Sequence, residues 1–130
     1  MMTKNIANKT KIYVDNFTAL LMDSPKKMIS SRSDYPDGLS YPFHQHSPIQ
    51  FLSASDGVMT VTTRQGVWVV PNFRAVWIPS NTWHKIDASG RLGLRSVYIK
   101  PEVIPDPPPQ CFVASVSPLL RELLLYASQF

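Results

Sequence analysis

Cysteine is almost missing from this 130-residue chain: Cys111 stands alone, which excludes an intrachain disulfide and any paired-thiol metal or redox motif, and suits a reducing cytosol. Charge is sparse as well, at 17% of residues against 44% hydrophobic ones, a balance that excludes a disordered chain and leaves ample material for a core. Long apolar runs are lacking. The longest early one, Phe17 to Met22, is interrupted by Thr18, so neither a secretory leader nor a membrane span is expected and the chain reads as soluble and cytoplasmic. Glycine is scarce beside proline, five against twelve. Because proline neither continues a helix nor sits in a central strand, this ratio argues for short elements joined by rigid turns. Acidic residues are outnumbered 9 to 13, and Lys4, Lys9, Lys11, Lys26, Lys27 and Arg32 all precede Asp34. The basic excess therefore belongs to the leading segment, where a solvated tail explains it without invoking nucleic acid.

What is present organises into three stretches. Residues 1–35 are polar and basic, closed by the Ser-rich run from Ile29 to Asp34 and the turn Tyr35-Pro36-Asp37-Gly38. Residues 36–116 carry apolar runs of four to seven residues separated by turn chemistry, which predicts an all-β barrel or sandwich of about seven or eight strands. Candidates are Ser40–His46, Ile49–Ser53, Val58–Thr63, Val67–Val70, Ala75–Ile78, Thr82–Ile86, Leu92–Ile99 and Cys111–Val116. The stretch from Pro101 to Pro109 holds five prolines and reads as a rigid extended connection. Residues 117–130 change period: Ser117 suits an N-cap, Pro118 the first turn, and Leu119, Leu120, Leu123 and Leu124 mark one helix face, widened by Leu125 and Tyr126. That face would pack on the barrel, on a partner chain, or on both.

The three histidines, His44, His46 and His84, carry the chemistry. Residues i and i+2 of a strand share a face, so His44 and His46 are expected to project together, with His84 arriving from a second strand. Two imidazoles of one strand and one of another can converge on a single centre. Trp68, Trp77 and Trp83 are expected in packing roles. Arg64, Arg74, Arg91 and Arg95 are expected to face water, although an inward one could pair with an anion.

These residues also carry a family resemblance. Gly38, His44, His46, Gln50 and Gly57 match the spacing of the first cupin motif, G-x5-H-x-H-x3-E-x6-G, with Gln50 standing where metal-binding cupins have glutamate. The segment from Pro79 to His84 resembles the second motif's P-x-G-x-x-H, with Asn81 in place of glycine, an exchange that a left-handed turn tolerates. The motif's later asparagine is replaced by Ala88. The run from Gly66 to Pro71, the run from Arg74 to Pro79, and the tail from Val116 to Leu123 are similar to the sensing domain of AraC-like bacterial transcription regulators. This resemblance, over about residues 38–130, implies a cupin (double-stranded β-helix, jelly-roll) barrel at 36–116, with residues 117–130 beginning a helical linker or dimerisation segment. It implies an effector pocket made by His44, His46, Gln50 and His84, a homodimer, and DNA contact only through helix-turn-helix units that this sequence does not contain.

Two occupants of the pocket stay open. Three nitrogen ligands favour zinc, nickel, copper or iron, but glutamine brings no charge to offset a dication. Without metal, the same four side chains would hydrogen-bond an organic effector. The competing class is a free-standing metal-dependent cupin enzyme, a dioxygenase or isomerase. Against it stand Gln50, the regulator-like strands and the leucine-rich helix that ends the chain, and no nucleophile–base constellation can be assembled, since the carboxylates near the motifs (Asp37, Asp56, Asp87) sit beside turns.

Overall fold

Among the described residues the chain runs through nine strands: β1 (Met28–Tyr35), β2 (Gly38–His44), β3 (Ile49–Asp56), β4 (Met59–Thr63), β5 (Gly66–Val70), β6 (Arg74–Ile78), β7 (His84–Ser89), β8 (Leu92–Ile99) and β9 (Phe112–Ser115). One helix follows, α1 (Pro118–Ala127). This is a computed structural model that describes residues 25–127. The earlier part of the basic arm, residues 1–24, and the last three residues of the helical tail lie outside the described residues.

The strands form two antiparallel sheets, one ordered β1-β8-β3-β6-β9 and the other β2-β7-β4-β5. Successive strands commonly change sheets, as in a jelly roll, and the fold is the all-β cupin-like sandwich that the sequence predicts. Leu52, Val76, Ile78, Leu92 and Leu94 of the first sheet meet Leu39, Met59, Val61, Val70 and Ile86 of the second. Each large aliphatic side chain buried this way contributes about 1.5–3 kcal/mol of transfer free energy.

β1 is the largest departure from the expected layout. The barrel does not begin at residue 36: Met28–Tyr35 pairs in continuous register with β8, from Met28 opposite Ile99 to Tyr35 opposite Leu92. Its serines and charges reflect an edge position, where only one neighbouring strand must be satisfied and little apolar surface is buried. The proline-rich connection is also less uniform than an extended linker. It opens with a 3-10 turn at Pro101–Val103 and is tied down where the Trp77 indole N–H donates to the Pro108 carbonyl at 3.1 Å, with Trp77 stacked on Phe112.

Both motif glycines have a backbone reason. Gly38 (φ +95) and Gly57 (φ +84) occupy the left-handed region, and a Cβ at Gly57 would collide with the Arg91 carbonyl oxygen. Helix α1 starts as the sequence indicates: the Ser117 hydroxyl accepts from the Leu120 N–H at 3.1 Å. Leu119, Leu123 and Tyr126 of α1 are exposed, while Leu120 and Leu124 are half-buried. No helix among the described residues is long and apolar enough to cross a membrane.

Candidate functional site

Proline decides where the first two histidines point. Pro42 lies inside β2 and has no N–H to give to the ladder, and the pairing of β2 with β7 slips between Tyr41 and His44. Such a bulge shifts the alternation by one residue. Leu39, Tyr41 and His44 are consequently buried while Phe43 is 46% exposed. Simple strand parity from Leu39 and Tyr41 would have turned Phe43 inward and His44 outward. His46 lies beyond the end of β2, so its convergence with His44 comes from the bulge and the following turn, not from an uninterrupted strand as the i, i+2 spacing suggests. Asn81 holds this turn from the other side: its N–H donates to the His46 carbonyl at 2.8 Å, and its φ of 57° is the left-handed conformation expected where the motif has glycine. Replacing Asn81 with glycine should therefore change stability by less than about 1 kcal/mol, whereas Asn81→Val should cost distinctly more; urea midpoints of the two variants check this.

His84 opens β7 directly opposite His44 and is completely buried. The ring centroids of His44 and His84 are 4.1 Å apart, those of His46 and His84 5.1 Å. One nitrogen from each of the three rings falls within 4.8 Å of the others.

The protonation pattern of the trio follows from its outer partners. Nδ1 of His44 faces the Pro42 carbonyl at 2.9 Å, Nδ1 of His46 the Pro48 carbonyl at 2.8 Å, and Nδ1 of His84 the Thr82 carbonyl at 2.7 Å. A carbonyl oxygen can only accept, so each Nδ1 carries the proton, and a neutral ring then presents an Nε2 lone pair. His84 is held neutral: its pKa is pushed down to about 3, first by burial and then by the neighbouring His44, against the Thr82 hydrogen bond that raises it and with His46 adding a smaller depression. Its Nε2 is buried and has no hydrogen-bond partner, an uncommon condition for which a bound ion or water is one physical explanation.

Gln50 closes the cluster from β3. Its amide nitrogen donates to the Ser96 hydroxyl and to the Tyr98 hydroxyl, both at 3.2 Å, which leaves Oε1 facing His46 Nε2 at 3.1 Å. With Nδ1–H committed to Pro48, a neutral His46 sets two lone pairs against each other, an arrangement that a cation between them relieves. Turned over, the amide would instead donate to His46 and accept from the two hydroxyls. Ser96 and Tyr98 were not separable from ordinary core residues in the sequence. Their signal is positional, since Tyr98 lies opposite Gln50 across the β3–β8 ladder.

A recess of about 230 Å³ has Thr63, Asn81, Thr82 and Trp83 among its lining residues. Thr63 pairs with His84 across β4 and β7, so the recess adjoins the histidine strand. Trp83 is 38% exposed there, with the Arg64 guanidinium 5.7 Å from its ring centroid. Trp68 packs half-buried against the core. Arg91 faces water as expected, but Arg95 does not: its side chain is only 14% exposed. Cys111 is buried, and burial pushes its thiol up to about 11, which keeps it protonated at neutral pH.

Residues 29–126 match the model of the AraC-like ligand binding domain. Over 89 residues the chain is 36% identical to the HTH-type transcriptional regulator NimR of Escherichia coli (strain K12), covering 68% of this chain and 32% of that protein. The chain thus spans about a third of the length of that relative. Among solved structures, unsaturated fatty acid-bound ToxT from Vibrio cholerae strain SCE256 is similar at a TM-score of 0.64 and 8% identity, over 83% of this chain and 48% of ToxT. Oxalate decarboxylase of Bacillus subtilis, whose structure is described with Mn(II) centres, is similar at a TM-score of 0.52 and 18% identity, over 58% of this chain and 22% of the enzyme. These two likenesses are of fold. The family rests on the match over residues 29–126 and on the 36% identical relative: the chain belongs to the AraC-like ligand-binding domain family of transcription regulators.

Proposed function

We propose that this chain is the effector-sensing and dimerisation part of a transcription regulator acting in the cytoplasm, and that His44, His46, His84 and Gln50 form its effector site. The observation that carries the reading is the set of three Nδ1 atoms tied to backbone carbonyls, with one ligand atom of each ring within 4.8 Å of the others. Outer hydrogen bonds of this kind fix the tautomer and orientation of metal-bound histidines. A transition-metal ion, zinc, nickel, copper or iron, fits this donor set, with Gln50 Oε1 as a neutral fourth ligand. Once bound, such an ion supplies a positive charge that can in turn hold an anionic or chelating effector. The chain's own residues orient the donors and exclude water. An organic effector hydrogen-bonded by the same side chains is the outcome to expect if metal does not bind.

Signal output follows from the helix. Leu119, Leu123 and Tyr126 stay exposed, so α1 retains an apolar stripe for a second copy while its other side meets the barrel. Occupancy that alters how α1 sits would then bias how helix-turn-helix units, supplied by a part of the protein outside this sequence, address DNA. A non-enzymatic role is supported by the regulator family of the chain. Asp56 pairs with Arg91 and Asp87 with Lys85 and Ser40.

Metal content of the untagged chain tests this reading by elemental mass spectrometry after expression in metal-replete medium. We expect close to one metal ion per chain, lost in a His44→Ala/His84→Ala variant. A chain that stays metal-free after reconstitution with all four metals overturns the metal reading, and a full-length regulator whose operator affinity responds to no metal or small molecule overturns the sensing role.

A further inference from the structure

As a donor set for a cation, the histidine cluster carries no charge. One ligand atom from each of His44, His46 and His84 lies within 4.8 Å of the others, and among the described residues no carboxylate or thiol joins that group. With each Nδ1 proton donated to a backbone carbonyl, an imidazole that takes a cation does so as a neutral base. The fourth polar side chain is neutral too. Gln50 turns its Oε1 toward His46 Nε2 at 3.1 Å, while its amide nitrogen is held by the hydroxyls of Ser96 and Tyr98. Asp87, the acid nearest to His84 in the sequence, is engaged with Lys85 and Ser40 instead. All four side chains of the cluster are buried: His44 is 9% exposed, His46 8%, Gln50 3% and His84 not at all.

Taking an ion out of water costs free energy in proportion to the square of its charge, so a dication loses about four times as much as a monocation of the same size on entering such a site. Its attraction to neutral donors grows only in direct proportion to that charge. A buried site without an anionic donor therefore favours a single positive charge. Among monovalent ions, sodium and potassium are hard and take oxygen ligands, whereas cuprous copper is soft, has a filled d shell and accepts a small number of nitrogen donors. We propose that the cluster selects cuprous copper over the dications of zinc, nickel and iron, with His44, His46 and His84 as its donors. The inference rests on the reading of these side chains as a metal site and names the ion. Gln50 is then the selectivity device: at the position where metal-binding cupins have glutamate, it withholds the charge that would favour a dication.

Anaerobic competition titrations of the untagged 130-residue chain at pH 7 test the proposal, with bicinchoninate as competitor for Cu(I) and a chromogenic chelator for Zn(II) and Ni(II). The chain should bind one Cu(I), at least about a hundredfold more tightly than either dication. Gln50→Glu should strengthen zinc by at least about tenfold but Cu(I) by only about threefold, because the added charge acts twice as strongly on a dication. Cys111→Ser should still bind one Cu(I), which assigns the ion to the imidazoles and not to the thiol. Cuprous copper is diamagnetic, so nitrogen-15 spectra should show the Nε2 resonances of all three histidines moving with added Cu(I). The inference is overturned if Zn(II) or Ni(II) binds as tightly as Cu(I), if Gln50→Glu strengthens Cu(I) as much as zinc, or if Cys111→Ser loses the ion. Tighter binding of a dication overturns the inference alone and leaves the metal site standing, whereas a chain that binds none of the three ions overturns both.

Discussion

Stripped of metal, the chain should lose stability as pH falls from 7 to 4.5, and His84 alone should account for about 2 to 3 kcal/mol of that loss. The sign follows from proton counting. In the unfolded chain His84 takes a proton near its ordinary value of 6.5, whereas in the fold the ring stays neutral down to about 3. Between those values the unfolded state holds one more proton, so acid favours unfolding by about 1.4 kcal/mol per pH unit. Burial is the first cause, and the crowding of His44 and His46 adds to it. A His84→Gln variant keeps a neutral side chain of similar volume and should unfold more easily at pH 7, where packing is disturbed. Its stability should then fall less steeply with acid, by the slope that His84 contributes. Urea midpoints across the range measure both curves, and parallel curves for the two proteins would contradict the buried neutral histidine.

That prediction depends on features of unequal visibility in the sequence. The spacing of His44, His46, Gln50 and His84 was readable because motif spacing survives in one dimension, and so were the two glycines, whose positive φ leaves few alternatives. The reason the histidines converge was not. Strand parity alone puts His44 and Phe43 on the wrong sides, and only the missing N–H of Pro42, read together with a pairing partner that the sequence does not name, turns His44 inward. β1 stayed hidden for a related reason. Hydrophobic periodicity detects strands with an apolar face, whereas β1 offers mainly Ile29 and Tyr35 to the interior and relies on β8 for its backbone hydrogen bonds. The burial of Arg95 was invisible as well, because its neighbours come from distant strands: Arg32 of β1 and Ser53 of β3 stand opposite it on either side. The N-cap at Ser117 needs only its neighbours, and it was legible in full.

Gln50→Glu should raise the affinity of the histidine site for zinc by at least tenfold, about 1.4 kcal/mol. The argument is electrostatic. Gln50 is 3% exposed, and its Oε1 lies 3.1 Å from His46 Nε2, so a carboxylate there would place a full negative charge where only an amide dipole now faces the imidazole. At short range in a poorly solvated pocket that charge acts strongly on a dication. The hydroxyls of Ser96 and Tyr98, which now accept from the amide, can rotate and donate to the carboxylate instead. The same change should weaken the metal-free chain by about 1–3 kcal/mol, because a buried acid without a cation must take up a proton or leave its charge unpaired. Opposite effects on the two states are the diagnostic: competition with a zinc chelator should report tighter binding while urea unfolding of the chelator-treated variant reports lower stability. If zinc affinity is unchanged and only stability falls, Gln50 does not contact the ion, and the lone pairs of Oε1 and His46 Nε2 must be reconciled by the reversed amide, an arrangement that serves a hydrogen-bonded organic effector.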